Sequence, residues 1–470
     1  MAFEGVSRTN KVLKVLPNVE DLTEAERNNI AGQARFLRGH YYFELKKMFN
    51  MVPWIDETTE DVKQPDNADI WPNIEADFQF AFDNLPGTQG EIGRANKWAA
   101  GAYLGKAYLF QKKFPEASSI FAEVIASGTN SAGEKYALVP KFRDNFDAAT
   151  ENNAETVFDI QMVANDGTSS ISNSNEGGML NFPYNSPFRC CGFYQPTQDL
   201  VNSYKTNAAT GIPDLDTYNQ NPVKNDMGIT SDEAFTPYTG SVDPRLDWTV
   251  GRRGIPYHDW GNHPGAAWIR EQSYGGPYAP KKNIYWQATQ DLYSDQSSWA
   301  PGTALNVHII RFADVLLMAA EAEAQTGNLG LATEYVNRVR ERASNPEGFL
   351  KKYKNDADPL AGFDQSKNAA DYHIGLYTGF ASKDSALEAI YFERKLELAM
   401  EGHRFFDLVR WGIAEKTLNA YFQYQGQITT DVRGGKFIPG KSEYYPIPQA
   451  QIDLSLNSSG EPTLTQNPGY

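Results

Sequence analysis

Leu104-Gly105-Lys106-Ala107-Tyr108, followed by Phe114, Ala117 and Phe121, is the most informative run in this chain. Its spacing is that of a helix, a tight turn and a second helix packed back on the first. Gly105 and Ala117 are small residues twelve positions apart, where two antiparallel helices must approach closely. The same spacing returns at Ala320 and Ala332, around a turn at Gly327-Asn328. Phe312, Val315, Leu316 and Ala319 line one helical face there, and Val336 and Val339 line the next.

Working outward, Thr23 is a candidate N-cap with Glu26 as its capping-box partner. The helix that follows runs through Ala31, Ala34, Phe36, Leu37, Tyr41, Phe43, Leu45 and Met48, with Pro53 just beyond its end. A further helix is expected over 69–84, stopped by Pro86-Gly87, and a last pair over 385–401 and 405–418. The expected fold is therefore mainly α, with about four tetratricopeptide-like helix pairs split by a long insertion. That gives an N-terminal helical part over 1–128 and an irregular, aromatic-rich subdomain over 129–304. A C-terminal helical part over 305–418 and a closing loop segment over 419–470 complete the chain. The insertion is dense in Gly, Pro, Asn, Ser and Asp, and short runs such as Thr156-Val-Phe-Asp-Ile-Gln161 read as isolated strands within it. A structureless loop of that length is improbable, so the insertion forms its own subdomain packed on the helices.

The chain has 470 residues, 43 Lys plus Arg against 59 Asp plus Glu, and a net charge of -16. That length suffices for a large core without a disulfide or metal staple. The acidic balance lacks the basic footprint that nucleic acid demands and disfavours adsorption to an anionic membrane. No apolar run reaches the ~20 residues of a membrane span, and residues 1–10 lack the form of a signal peptide. The two cysteines, Cys190 and Cys191, are adjacent and match neither a zinc pattern nor a CxxC redox motif. Adjacent cysteines meet ordinary disulfide geometry badly, so reduced thiols are expected.

Several patterns suggest chemistry and fail on context. Gly435-Lys-Phe-Ile-Pro-Gly440-Lys441-Ser442 fits the phosphate-loop expression, but Pro446 and Pro448 block the helix whose amides would cradle phosphate. His258 and His263 have no partner ligand at helical spacing, so no metal is expected. Six histidines and no nucleophile elbow leave no catalytic constellation. Glu393, Glu397 and Glu401 recur every four residues, a repulsive spacing unless cations answer it. A structural ion network with Arg394, Arg404 or the Arg35/Arg38 pair is the expected answer.

The loop from Tyr257 to Trp299 is richer. Tyr257, Trp260, Trp268, Tyr274, Tyr278, Tyr285, Trp286, Tyr293 and Trp299 give it about three times the chain's average density of Trp and Tyr. Sugars present flat C–H faces that stack on such rings, while Asp259, Asn262, Arg270 and Glu271 could bond hydroxyls. Equally, the rings could simply fill a loop-rich subdomain that has few aliphatic side chains. The candidate binding residues are Tyr257, Asp259, Trp260, Asn262, Trp268, Arg270, Tyr274, Tyr278 and Trp286. No catalytic residue, metal or cofactor is expected.

Five segments taken in order resemble one family, the SusD/RagB outer-membrane nutrient-binding lipoproteins of Bacteroidetes. They are Gln33-Ala-Arg-Phe-Leu-Arg38 with Tyr41-Tyr-Phe43 and Val52-Pro53; Arg311-Phe-Ala-Asp-Val-Leu-Leu-Met-Ala-Ala-Glu-Ala322 with Val336-Asn-Arg-Val-Arg340 and Arg342-Ala343; Glu393-Arg394 through Glu401-Gly-His-Arg404 to Phe406-Asp-Leu-Val-Arg-Trp411; Tyr445-Pro-Ile-Pro448; and Gln466-Asn-Pro-Gly-Tyr470. Asp243-Pro-Arg-Leu246 fits the segment preceding the family's binding loops, and Arg8-Thr-Asn-Lys-Val-Leu13 resembles its early R-x-N-x-V-L stretch.

The resemblance implies a non-enzymatic protein of the cell surface that captures oligosaccharides, or sometimes peptides. It also implies delivery of that ligand to a SusC-like TonB-dependent β-barrel transporter. Family precursors carry a signal peptide, a lipid-bearing cysteine and roughly a hundred residues ahead of the R-x-N-x-V-L stretch, so the chain reads as N-terminally incomplete. The family's signature segments are scaffold, which makes 393–411 structural and leaves ligand contact to variable loops. A glycan-processing enzyme and a peptide-binding tetratricopeptide scaffold are the rival readings.

Overall fold

Thr23 and Glu26 form the expected capping box: the Glu26 amide donates to Thr23 Oγ1 at 3.3 Å, and the Thr23 amide to Glu26 Oε2 at 2.9 Å. The computed structural model describes residues 2–168 and 171–470, which divide into two compact units. One comprises the chain up to Tyr136 with Phe405–Thr417 and Phe437–Tyr470; the other comprises Ala137–Arg404 and Leu418–Lys436.

In the first unit, helices α1 (Ala2–Val15), α2 (Glu24–Phe49), α3 (Trp71–Asn84), α4 (Lys97–Phe110) and α5 (Phe114–Ser127) pack in sequence order, each against the next. α3 starts two residues later than expected, at Trp71, whose amide donates to Asp69 Oδ1. The Asn96 side chain accepts the Ala99 amide at 2.9 Å and starts α4. Gly105 explains how closely α4 and α5 approach. A methyl group there would sit 2.6 Å from Phe121 Cε1 and 2.9 Å from Ile120 Cγ2. The core is aromatic, with Phe78 and Tyr103 stacked at 4.7 Å and Phe36 edge-on to Tyr103 at 5.6 Å. Arg38, 3% exposed, is bound bidentately by Asp77 at 2.7 and 2.8 Å. The 435–442 run lies in turns, and no helix follows until Gln449–Leu454.

In the second unit, the helices Phe312–Thr326 and Leu329–Ala343 form the expected antiparallel pair. Gly327 turns between them at φ 92°, and Ala320 and Ala332 are fully buried. The helix Lys383–Glu397 packs on this pair. Thr156–Ile160, expected as an isolated strand, is paired antiparallel with Val307–Arg311, so the start and end of the insertion are stitched together.

One expectation is corrected by the helix end. Lys383–Glu397 stops at Leu398, because Met400 and Gly402 adopt left-handed backbone with φ of 65° and 82°. Glu393 and Glu397 are helical, whereas Glu401 lies in the turn beyond. The ion network itself is present, with different cations. Arg245 reaches Glu393 at 2.7 Å and Glu397 at 2.9 Å, and Arg340 pairs with Glu393 at 2.7 Å. Arg311 binds Glu397 at 3.2 Å and Glu401 at 2.9 Å, and Arg342 also binds Glu397. Burial raises the Glu397 carboxyl, but Arg342, Arg311 and Arg245 outweigh it and hold the group well below the carboxylate range. Arg394 pairs with Asp314 at 2.7 Å, while Arg38 serves Asp77.

Candidate functional site

The loop from Tyr257 to Trp299 lies in the second unit, and its rings divide by exposure. Tyr257 is fully buried and its hydroxyl donates to the Pro280 carbonyl. Tyr278, 1% exposed, donates to Gln198 Oε1 at 2.9 Å. The Asp259 carboxylate accepts the amides of Gln287 at 2.7 Å and Ala288 at 2.9 Å, closing the loop on itself. These three, expected to face a ligand, are drawn inward. The segment has few aliphatic side chains, and its rings serve as the interior.

Trp260, Trp268, Trp286 and Asn262 are half-buried. Trp260 packs on Phe188 at 4.8 Å and its indole donates to the Tyr285 carbonyl at 2.9 Å. Trp268 packs on Tyr257 at 5.6 Å, and Trp286 on His258 at 4.6 Å. His258 and His263 are interior; burial and then the nearby Lys281 push the His263 imidazole down to about 3, so it is neutral.

Outward, Arg270 is exposed, as are Tyr274 and Trp299 at 57% and 58%. The Arg270 guanidinium sits 5.4 Å from the Tyr184 ring and 5.0 Å from the Phe193 ring, and both rings are themselves exposed. Its Nη1 donates to the Cys191 carbonyl at 3.0 Å. Cys190 and Cys191 are joined as a disulfide over a cis peptide, which replaces the expected reduced thiols. Arg189 donates to the Ser298 carbonyl at 2.7 Å and to Gln296 Oε1 at 3.2 Å, tying the 182–194 segment to the approach to Trp299.

Tyr184 and Phe193 went unnoticed in the sequence. The signal was available, since 182–194 holds Phe182, Tyr184, Phe188, Phe193 and Tyr194. What results is a short exposed strip, the Tyr184 and Phe193 rings with the Arg270 cation held between them. Such a surface offers apolar faces to stack on and fixed donors beside them.

A larger concavity of about 530 Å³ lies in the first unit, lined by Phe3, Val6, Asn10, Val62 and Leu454 among others, and contains none of the loop's rings. Among the described residues no cluster of three or more His, Cys, Asp or Glu could hold a metal, and no helix is long and apolar enough to cross a membrane.

A family model described as the SusD family matches residues 154–470. The chain belongs to the SusD family. A second model, described as "Starch-binding associating with outer membrane", matches residues 1–109. A SusD-like protein of Formosa agariphila is 27% identical over the whole of this chain and 79% of its own length. Among solved structures, a protein titled a laminarin-binding SusD-like protein has a TM-score of 0.64 at 23% identity, covering 100% of this chain and 84% of its own. Surface glycan-binding protein A of Bacteroides thetaiotaomicron, solved with laminarihexaose, has a TM-score of 0.67 at 21% identity, covering 99% and 84%. At these identities the structural likeness concerns the SusD fold. In this chain, the 393–411 segment supplies Glu393, Glu397 and Glu401 to the buried ion network.

Proposed function

We propose that this SusD-family protein is a non-catalytic glycan-binding protein of the cell surface, lipid-anchored at the outer membrane. It captures an oligosaccharide and delivers it to a SusC-like TonB-dependent transporter. The observation that carries the reading is the exposed ring strip, with Arg270 held between Tyr184 and Phe193. Arg270, Tyr184, Phe193, Tyr274 and Trp299 are the assigned contacts, with the half-buried Trp260 and Trp268 as further candidates. The 129–304 segment is thereby the ligand-bearing part. Two fold neighbours support a sugar as ligand, one titled as binding laminarin and the other solved with laminarihexaose.

Stacking on a few rings gives modest affinity, on the order of micromolar to millimolar. Calorimetric titration with laminarihexaose, maltohexaose and xylohexaose is expected to show saturable binding to at least one, without product formation. The Arg270→Ala protein is expected to bind that sugar about tenfold more weakly. A response confined to peptides, or sugar cleavage abolished by one carboxylate substitution, would overturn the assignment. Delivery predicts a β-barrel transporter that co-purifies with the protein from native outer membranes, and its absence from an intact extract would count against that step.

A further inference from the structure

Beside the ring strip, the second unit contains a cavity of about 400 Å³ whose lining includes Tyr194, Lys282, Asn283, Phe146 and Met400. Tyr194 follows Phe193 directly in the chain and its ring is half exposed, so the cavity opens next to the strip. The polar part of its wall has donors to spare. Asn283 Nδ2 is shielded from solvent and has no hydrogen-bond partner among the described residues. Lys282 Nζ donates to Glu401 Oε1 at 2.6 Å and to the Glu397 carbonyl at 3.2 Å, which uses two of its three protons, and the ammonium lies 4.4 Å from the Phe146 ring, itself part of the lining. Burial brings this ammonium down to about 8 against the pull of Glu401.

The backbone around the cavity is unusual as well. Tyr194 and Met400 both have positive φ, at 57° and 65°, a region that bulky residues seldom adopt and that concentrates at functional positions. Phe146 and Met400 supply apolar surface to the same lining. A cavity of this size lies within the range of small-molecule sites, and its mixture of spare donors and apolar surface matches a sugar ring, which has C–H faces and a rim of hydroxyls. A solvent-shielded donor without a partner is a cost to the fold that a hydroxyl oxygen would relieve.

We propose that this cavity is a subsite for one pyranose ring of the captured glycan, with Asn283 and Lys282 donating to its hydroxyls and Tyr194 covering it at the mouth. The assignment rests on the glycan-binding reading above but uses different residues, so the two can fail separately. The test is calorimetry of the wild type and of the Asn283→Ala, Tyr194→Ala and Arg270→Ala proteins. The probes are laminarihexaose, maltohexaose and xylohexaose, together with free glucose and xylose.

Asn283→Ala and Tyr194→Ala are expected to weaken the best hexasaccharide five- to twentyfold and to remove monosaccharide binding. Asn283→Ala should not lower the unfolding midpoint, since its amide nitrogen bonds nothing in the free protein; it keeps the test open should Tyr194→Ala fold poorly. Loss of affinity in Arg270→Ala alone would overturn the subsite and leave the ring strip standing. Loss in the two cavity variants alone would support the subsite and remove the strip. Silence toward every sugar in the panel would overturn both.

Discussion

The ion network around Glu397 and the ring strip around Arg270 put arginine to opposite uses. At Glu397 the guanidinium groups of Arg245, Arg311 and Arg342 are at most 3% exposed at the side chain and converge on one carboxylate. Each charge there is paired within the protein. At Arg270 the guanidinium is exposed, flanked by two exposed rings, and anchored by one bond to a carbonyl. The network draws on the segments whose sequence resembles the family's, the strip on loops outside those segments.

The contrast is broken most severely by Glu397→Ala. It removes the carboxylate that three buried guanidinium groups share, and denaturant unfolding should show a loss of about 3–5 kcal/mol. A network that tolerated this change within 1 kcal/mol would not be the scaffold described.

A pH experiment sharpens the same side. Burial alone would lower His308, but Asp159, with Oδ2 2.9 Å from Nδ1, raises it to about 9. A histidine raised in the folded state stabilises fully below its unfolded value near 6.5. The contribution is lost as pH rises through about 9. The stability gap between wild type and His308→Gln should therefore be widest below pH 6.5, roughly 3 kcal/mol at ~1.4 kcal/mol per pKa unit, and should close by about pH 10. A gap that widened with pH would mean that His308 is held neutral.

Gly105→Ala is expected to cost about 1–3 kcal/mol, since its methyl group must displace the Phe121 ring in a packed core. Thermal unfolding reads this directly, and a neutral result would mean that α4 and α5 are not in close contact. The smallest stability change belongs to Arg270→Ala. Unfolding should move by no more than about 0.5 kcal/mol, because the group is exposed, while glycan affinity falls about tenfold.

What the sequence made legible was whatever depends on local chemistry or on small residues at fixed spacing. The Thr23–Glu26 box, the Gly105 approach to Phe121 and the buried Ala320–Ala332 pair all rest on neighbours close along the chain. The partners of Glu393, Glu397 and Glu401 do not. Arg245 lies about 150 residues before them, and nothing local points to it. Glu401 continued the four-residue period, yet the left-handed backbone at Met400 and Gly402 ends the helix before it is reached.

The site was legible in kind and less so in detail. Aromatic density marked the 257–299 loop, but density cannot say which rings turn inward. Tyr257 and Tyr278 became core, while the partners of Arg270 came from 182–194, a segment some eighty residues earlier in the chain.

The most direct test of the central claim is a calorimetric titration of the wild-type and Arg270→Ala proteins with the hexasaccharide panel, with chromatography of the sugar afterwards. Glycan capture at the ring strip predicts saturable wild-type binding, about tenfold weaker binding by the variant, and sugar recovered intact. Equal affinity in the two proteins, or a shortened sugar, would contradict it.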